Sequence, residues 1–343
     1  MARRTRSLHW HTQNFLRDPA LARALVNRAE LTWAYLAYEI CAGSGTITEA
    51  LADRCRAVIA NEIDAVLCEA LRSRLAGRSA VQIRCGDFLE EQLPRERYKV
   101  FANPPFEITS AVIAKLAGAV RPPDDAWIVV QREAAARYCG VPDETLVGLL
   151  LKPFFATSVI HRFRRDDFVP PPRVETVMLR LHKRGPPLVR REDAQAYRDL
   201  VVAAFTAWKP TVGAALVQRF GRRAARRLID GAELDPTRPP SAVPFDAWLA
   251  LFGAFTRMPG ALRRRVAGAE ARLRRQQAHL QKEHRSRAPR DALGPALARG
   301  RRGPTPRLRL PVSTSGREAG GGSREMADVV VRRAVLPAVP EHA

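Results

Sequence analysis

The sequence predicts an α/β fold followed by a small helical domain and a basic tail. Three observations carry that prediction. Short apolar runs alternate with helical patterns over residues 35–138. A glycine loop joins the first apolar run to its helix, and Glu62 stands 19 residues beyond Gly43 of that loop. After Gly185-Pro186-Pro187 the strand patterns stop and only helical ones remain. A chain of 343 residues has room for two domains, or for one with appendages.

The elements follow in order. Asp18 and Pro19 read as a helix cap and first-turn proline, opening a helix to about Asn27. Residues 35–40 form the first strand, and Cys41-Ala42-Gly43-Ser44-Gly45-Thr46 turns it into a helix reaching about Arg54. The glycines permit close backbone approach at an electropositive helix N-terminus. The loop lacks both the Lys-Ser/Thr of a phosphate loop and a full G-x-G-x-x-G. Residues 58–61 form the second strand, with Glu62 at its tip, where an acid reaches ribose hydroxyls. A helix over 64–75 leads to a third strand, 81–84, closed by Cys85-Gly86-Asp87-Phe88. Asp87 can accept from an adenine amino group, with Phe88 covering the ring. Any one of these acids alone reads as a solvated loop carboxylate. Three successive strands ending in Glu39, Glu62 and Asp87 read as a nucleoside site.

The fourth strand, 98–102, ends in Asn103-Pro104-Pro105-Phe106. On its own the tetrapeptide is equally a proline-rich turn. At the carboxyl end of a strand, however, it lies where α/β sheets bind ligands. Its two prolines stiffen a loop that can aim one amide and one carbonyl at a planar amine, with Phe106 stacked on the ring. A helix over 109–119, a strand over 126–130 and a helix over 132–138 follow. Residues 154–162 and 174–182 alternate as an antiparallel pair, joined by the stiff loop Phe168-Val169-Pro170-Pro171-Pro172-Arg173.

Helical segments are expected near 192–208, 219–229 and 245–255. Arg219, Arg222, Arg223, Arg226 and Arg227 fall at spacings that gather them on one face, read as a phosphate-binding surface. From Ala261 onward 19 Lys and Arg face 7 Asp and Glu, with Gly, Pro and Ser abundant. Residues 261–287 read as a charged helix. Beyond it the composition predicts disorder and non-specific RNA affinity. The division expected is a flexible basic arm (1–12), a catalytic domain (13–184), a helical RNA-binding domain (185–258) and an Arg-rich, largely disordered tail (259–343).

The formal net charge of +22 favours a polyanionic partner. Cys41, Cys55, Cys68, Cys85 and Cys139 show no C-x-x-C or Cys/His cluster, which argues against a disulfide framework or zinc site and for a reducing cytoplasm. His9 and His11 have no third ligand nearby, so no metal is expected. No apolar run is long enough for a membrane span. No oligomerisation signal stands out, and a monomer is expected.

The order of these pieces resembles the Erm family of 23S rRNA adenine-N6 methyltransferases. The likeness runs from Leu8 to Phe255. It rests on Gln13-Asn14-Phe15-Leu16, on Glu39-Ile40-Cys41-Ala42-Gly43-Ser44-Gly45-Thr46 with Ile47-Thr48, on Asn61-Glu62-Ile63-Asp64, on Gly86-Asp87-Phe88-Leu89, on Asn103-Pro104-Pro105-Phe106 and on Phe168-Val169-Pro170-Pro171-Pro172-Arg173-Val174-Glu175. Each is short alone, and their joint order carries the signal.

The resemblance implies a Rossmann-like class I methyltransferase sheet, S-adenosyl-L-methionine as donor, and a target adenine at the peptidyl-transferase centre. Methylation there confers macrolide, lincosamide and streptogramin B resistance. By position, Asn14 and Leu16 would meet the methionine end of the donor, and Cys41, Gly43 and Gly45 would form its loop. Glu62 would hold the ribose, Ile63 would lie against the adenine, and Asp87 with Phe88 would take its amino edge. Asn103 would serve donor and catalysis. Pro104 would supply a carbonyl, and Phe106 and Phe168 would sandwich the flipped base. The family usually has Gly where Cys41 stands. If that position needs positive φ, Cys41 is strained; if not, it narrows the pocket. Competing readings are the small-subunit rRNA adenine dimethyltransferase, whose strand-four motif usually reads Asn-Leu-Pro-Tyr, a DNA adenine methyltransferase, and an inactive RNA-binding protein on the same scaffold.

Overall fold

The computed structural model describes residues 14–286. The predicted arm (1–12), Gln13 and the predicted tail from residue 287 onward lie outside them. The described chain opens with β1 (Phe15–Leu16) and α1 (Pro19–Arg28), whose cap Asp18 accepts from the Ala20 N–H at 2.7 Å. Then come β2 (Leu36–Ile40), α2 (Thr46–Ala52), β3 (Ala57–Glu62), α3 (Ala65–Arg74), β4 (Val81–Cys85), β5 (Tyr98–Ala102), α4 (Thr109–Gly118) and β6 (Asp125–Gln131). α5 (Arg132–Cys139), α6 (Leu146–Leu151), β7 (Phe155–Arg162), β8 (Phe168–Val169) and β9 (Thr176–Lys183) complete the first domain.

Seven strands form one sheet in the order β4-β3-β2-β5-β6-β9-β7. β2 to β6 pair in parallel, and β9 runs antiparallel to both β6 and β7. β2 and β5 are buried at every residue, as a parallel strand covered on both faces must be, and their sequences are apolar apart from Glu39 and Lys99. From β2 the chain moves outward to β3 and β4, then crosses back to β5 on the other side of β2. Ligands of open α/β sheets bind at such a reversal, above the strand carboxyl ends.

The predicted elements hold, apart from α6, which falls where none was predicted, and with four further differences. First, β1 and β8 pair antiparallel as a separate two-stranded ribbon, Phe15 opposite Val169 and Leu16 opposite Phe168. Two residues per strand leave no period to read. Second, the helix expected over 219–229 is two. α7 (Ala194–Phe205) is followed by α8 (Val212–Phe220) and α9 (Arg222–Gly231), separated at Gly221, whose φ of +83° ends the first helix.

Third, the helical domain does not end at Met258. After α10 (Phe245–Thr256), α11 (Gly260–Arg263) and α12 (Ala269–Ser286) continue it. Val266 and Ala269 are buried in the same cluster as Leu200, Trp248 and Phe255. Buried Asp199 of α7 accepts from the N–H groups of Gly268 (2.8 Å) and Glu270 (3.0 Å), capping α12 from outside. Composition alone hid these contacts. Fourth, Cys68 and Cys85 form a disulfide with Cα atoms 6.0 Å apart, whereas sequence spacing argued for unpaired thiols. Their separation of 17 residues gives no hint that α3 packs beside β4.

Candidate active site

The carboxyl ends of β2, β3, β4 and β5 bring the predicted motifs together. Between β2 and α2 the backbone turns through three left-handed residues, Cys41 (φ +59°), Gly43 (+56°) and Gly45 (+85°). The left-handed φ of Gly45 favours glycine, and a Cβ there would lie 2.7 Å from Leu71 Cδ2, a side-chain end that would have to shift. The turn is braced from α3. Arg74 donates to the Ser44 carbonyl at 2.8 Å and holds Glu49 with two bonds of 2.7 and 2.8 Å. Cys41 therefore occupies the strained alternative, not the merely pocket-narrowing one.

Glu62 is 1% exposed, and its carboxylate accepts from the Gly43 N–H (2.8 Å), the Ile63 N–H (2.9 Å) and the Asp64 N–H (3.0 Å). It thus ties the glycine turn to the tip of β3. A carboxylate offers about four acceptor sites, so roughly one remains for a ligand hydroxyl. Ile63 beside it is half exposed, an apolar surface next to that acceptor. Asp87 uses one oxygen to cap the Leu89 N–H at 2.8 Å and is only half-buried. Lys115 braces the following turn through the carbonyls of Phe88 and Leu89, both at 2.8 Å. Phe88 departs from its expected place. It is 3% exposed, packed edge-on against Tyr38 within the sheet core, and supports the turn from below instead of covering a ring.

Glu39, one of the three strand-end acids, is a candidate site residue that the sequence did not single out. It is 2% exposed, and its Oε2 has no hydrogen-bond partner among the described residues. Burial pushes its carboxyl up to about 8. It lines a narrow cleft with Phe15, Leu16, Cys41, Ile47 and Asn103. Across that cleft the Asn103 side chain donates Nδ2 to the Asn14 carbonyl at 2.7 Å, and its N–H bonds to the Ile40 carbonyl at 3.2 Å. The first bond fixes the amide: Nδ2 is held, and Oδ1 is directed away from it. Pro104 is buried, while Pro105 and Phe106 are half-buried at the start of a 3-10 turn.

Phe168 does not stand where a base could stack on it. It is 1% exposed, clustered with Leu16 and edge-on to Phe163 at 5.0 Å. In the β1–β8 ribbon Phe15 pairs with Val169 and Leu16 with Phe168, and both Phe15 and Leu16 reach the cleft. Phe15 lines the cleft and Val169 is 51% exposed. Of the five arginines, Arg222, Arg223, Arg226 and Arg227 share the exposed face of α9. Arg219 is separate: it sits on α8, half-buried, and donates to the Ala203 carbonyl at the end of α7.

This set of groups fits an adenosine-bearing cationic donor. A buried carboxyl with one oxygen free of a hydrogen bond lines the cleft, and Glu62, half-exposed Ile63 and Asp87 stand at the carboxyl ends of the next two strands. With a rigid Asn-Pro-Pro-Phe loop beside that cleft, fold and site define a methyltransferase of the S-adenosylmethionine-dependent class. The model of the ribosomal RNA adenine dimethylase family matches residues 7–255, and the chain belongs to that family. It is 29% identical over 250 residues to an rRNA adenine N-6-methyltransferase of Saccharopolyspora erythraea, covering 73% of this chain and 65% of that protein. It is 30% identical to the ribosomal RNA small subunit methyltransferase A of a Synechococcus strain, over 70% of this chain and 89% of that one. The crystal structure of the 23S rRNA methyltransferase ErmE superposes with a TM-score of 0.65 at 29% identity, over 70% of this chain and 99% of ErmE. The Erm-type resemblance read from the motifs is thereby upheld.

Proposed function

We propose that this protein methylates the N6 amine of one adenine in 23S rRNA at the peptidyl-transferase centre, conferring macrolide, lincosamide and streptogramin B resistance. Asn103 carries the reading. S-adenosylmethionine, when bound, supplies an electrophilic methyl group on a sulfonium. The chain's own residues do the rest. Glu39 binds the cationic end of the donor, Glu62 the ribose and Asp87 the adenine edge, with Ile63 against the ring. Asn103, its Nδ2 held by Asn14, accepts one target N6–H at Oδ1, and the Pro104 carbonyl accepts the other. Those two bonds draw the amine lone pair out of the ring and aim it at the methyl carbon. The proton that is released passes to solvent. Phe106 stacks on the extruded base, and Phe15 with Val169 supplies the opposite wall in place of Phe168. Positioning and electrostatics supply the rate.

The α9 arginines bind rRNA phosphates, and the protein acts as a monomer in the cytoplasm. Pro105-Phe106 against the usual Pro-Tyr of small-subunit enzymes, with Pro104 in place of their Leu, and the likeness to ErmE support the 23S target. The similarity to the Synechococcus protein keeps 16S rRNA as the second reading. Labelled donor with protein-free 23S and 16S rRNA, mapped by reverse-transcription stops, separates the two. Label confined to the 23S peptidyl-transferase adenine is expected, and label on 16S alone transfers the assignment. Asn103→Ala is expected to abolish label while donor binding falls less; near-normal turnover would remove Asn103 from the mechanism.

A further inference from the structure

The Cys68–Cys85 pair joins the two segments that carry Glu62 and Asp87. Cys68 is fully buried on α3, and its sulfur lies 3.4 Å from the Glu62 carbonyl. That same carbonyl accepts the Gly86 N–H at 2.9 Å, and Gly86 in turn accepts from the Asn61 side chain at 3.0 Å. Cys85 directly precedes Gly86-Asp87, on the edge strand of the sheet, and is exposed. Arg72 Nη2 lies 3.0 Å from its sulfur. A guanidinium beside an accessible sulfur favours the thiolate, the form that attacks oxidants. Burial pushes the Cys41, Cys55 and Cys139 thiols up, outweighing Lys99 near Cys55 and Lys152 near Cys139.

We propose that Cys68 and Cys85 form a redox modification site that sets the affinity for the donor. The proposal rests on Glu62 and Asp87 holding the donor's adenosine. In the reduced protein the Cys85 thiolate attacks one oxygen of hydrogen peroxide. The O–O bond breaks to give the sulfenic acid and hydroxide, which takes up the proton released when the thiol ionised and leaves as water. The Cys68 sulfur then attacks the sulfenic sulfur, the S–S bond forms, and a second water leaves. Two thiols are oxidised and one peroxide is reduced to two waters. A dithiol reverses the step by two exchanges. In the reduced state the Cys68 S–H donates to the Glu62 carbonyl. In the oxidised state that bond is replaced by a covalent link between the helix following Glu62 and the strand leading to Asp87. The link fixes the spacing of the two acids before the donor arrives, so the oxidised form binds donor more tightly.

The test uses the full chain, peroxide-treated or dithiol-treated. Differential thiol alkylation read by mass spectrometry gives the disulfide content, and calorimetry gives S-adenosylmethionine affinity. Peroxide is expected to protect Cys68 and Cys85 from alkylation together, and donor affinity to rise about threefold or more on oxidation. Cys85→Ser and Cys68→Ser are each expected to bind donor equally in both treatments. Because Cys85 is exposed, the first variant remains informative if the second folds poorly. Independent alkylation of the two thiols, or equal donor affinity in the two wild-type states, overturns the proposal. A wild type that binds no donor in either state, yet still forms the disulfide, refutes the adenosine-site reading instead.

Discussion

Glu39 couples the site to pH. The carboxyl titrates near 4.5 when solvated and is pushed up to about 8 by burial. Between those values the folded protein holds a proton that the unfolded chain has lost, so this group's contribution to stability declines as pH rises from about 4.5 to about 8. A cationic donor end beside Glu39 favours the ionised form. Donor binding near pH 7 is therefore expected to release about one proton and to tighten with rising pH until about 8. Calorimetry in two buffers of different ionisation enthalpy reads the release, and Glu39→Gln should remove it. No release from the wild type would mean that the donor cation lies elsewhere. Cys41 gives a second residue-scale test. A left-handed backbone costs a non-glycine residue about 1–2 kcal/mol, partly offset by the greater freedom of glycine in the unfolded chain. Cys41→Gly is expected to raise stability by about 1 kcal/mol, seen as a higher denaturant midpoint at unchanged slope. A lower midpoint would show that the packing of the thiol outweighs its strain. The sequence displayed Glu39 as a strand-end acid and Cys41 as a departure in a glycine loop. It could not display burial or φ, which depend on what packs above them.

At the scale of elements, legibility followed length. β2 and β5 are buried on both faces and announce themselves as apolar runs, and Asn103-Pro104-Pro105-Phe106 stood out because it ends such a run. The β1–β8 ribbon did not, and it buries Phe168 to 1% exposure while Phe15 lines the cleft. A motif fixes a residue's place along the chain but not its side of a strand. The helical domain was misjudged for a related reason. α12 is rich in Arg, Gln and Glu, and its attachment runs through polar groups, since Asp199 caps it and Glu270 meets Arg198 at 3.3 Å and Arg274 at 2.7 Å. Burial raises the Glu270 carboxyl, but the two guanidiniums and Gln195 outweigh that and hold it below the usual range. Asp199→Ala removes the cap and is expected to cost about 1 kcal/mol. Hydrogen exchange should quicken in α12 first, with the sheet amides unaffected. Uniform acceleration throughout the chain would show that α12 is not a separable unit.

At the scale of the whole molecule, charge is divided between a folded face and a tail, and the α12 packing changes how the two can be separated. A truncation after Pro259 would remove Val266, Ala269 and Glu270 from the helical core as well as the basic tail, so weakened RNA binding could reflect lost structure. Ending the chain at Ser286 leaves every described contact in place and removes 11 Arg against 5 Asp and Glu. Each phosphate contact contributes roughly 0.7 to the slope of log affinity against log salt on single strands. If the tail engages RNA, truncation at Ser286 weakens binding at low salt, flattens that slope by about one or more, and leaves donor affinity unchanged. Neutralising Arg222, Arg223 and Arg226 on α9 should flatten the slope too, in a folded and donor-competent protein. The two changes are expected to add, because the groups lie on separate parts of the chain. An unaltered slope after truncation would confine RNA recognition to the residues before 287 and leave the tail's excess of 11 Arg over 5 Asp and Glu as a property of composition.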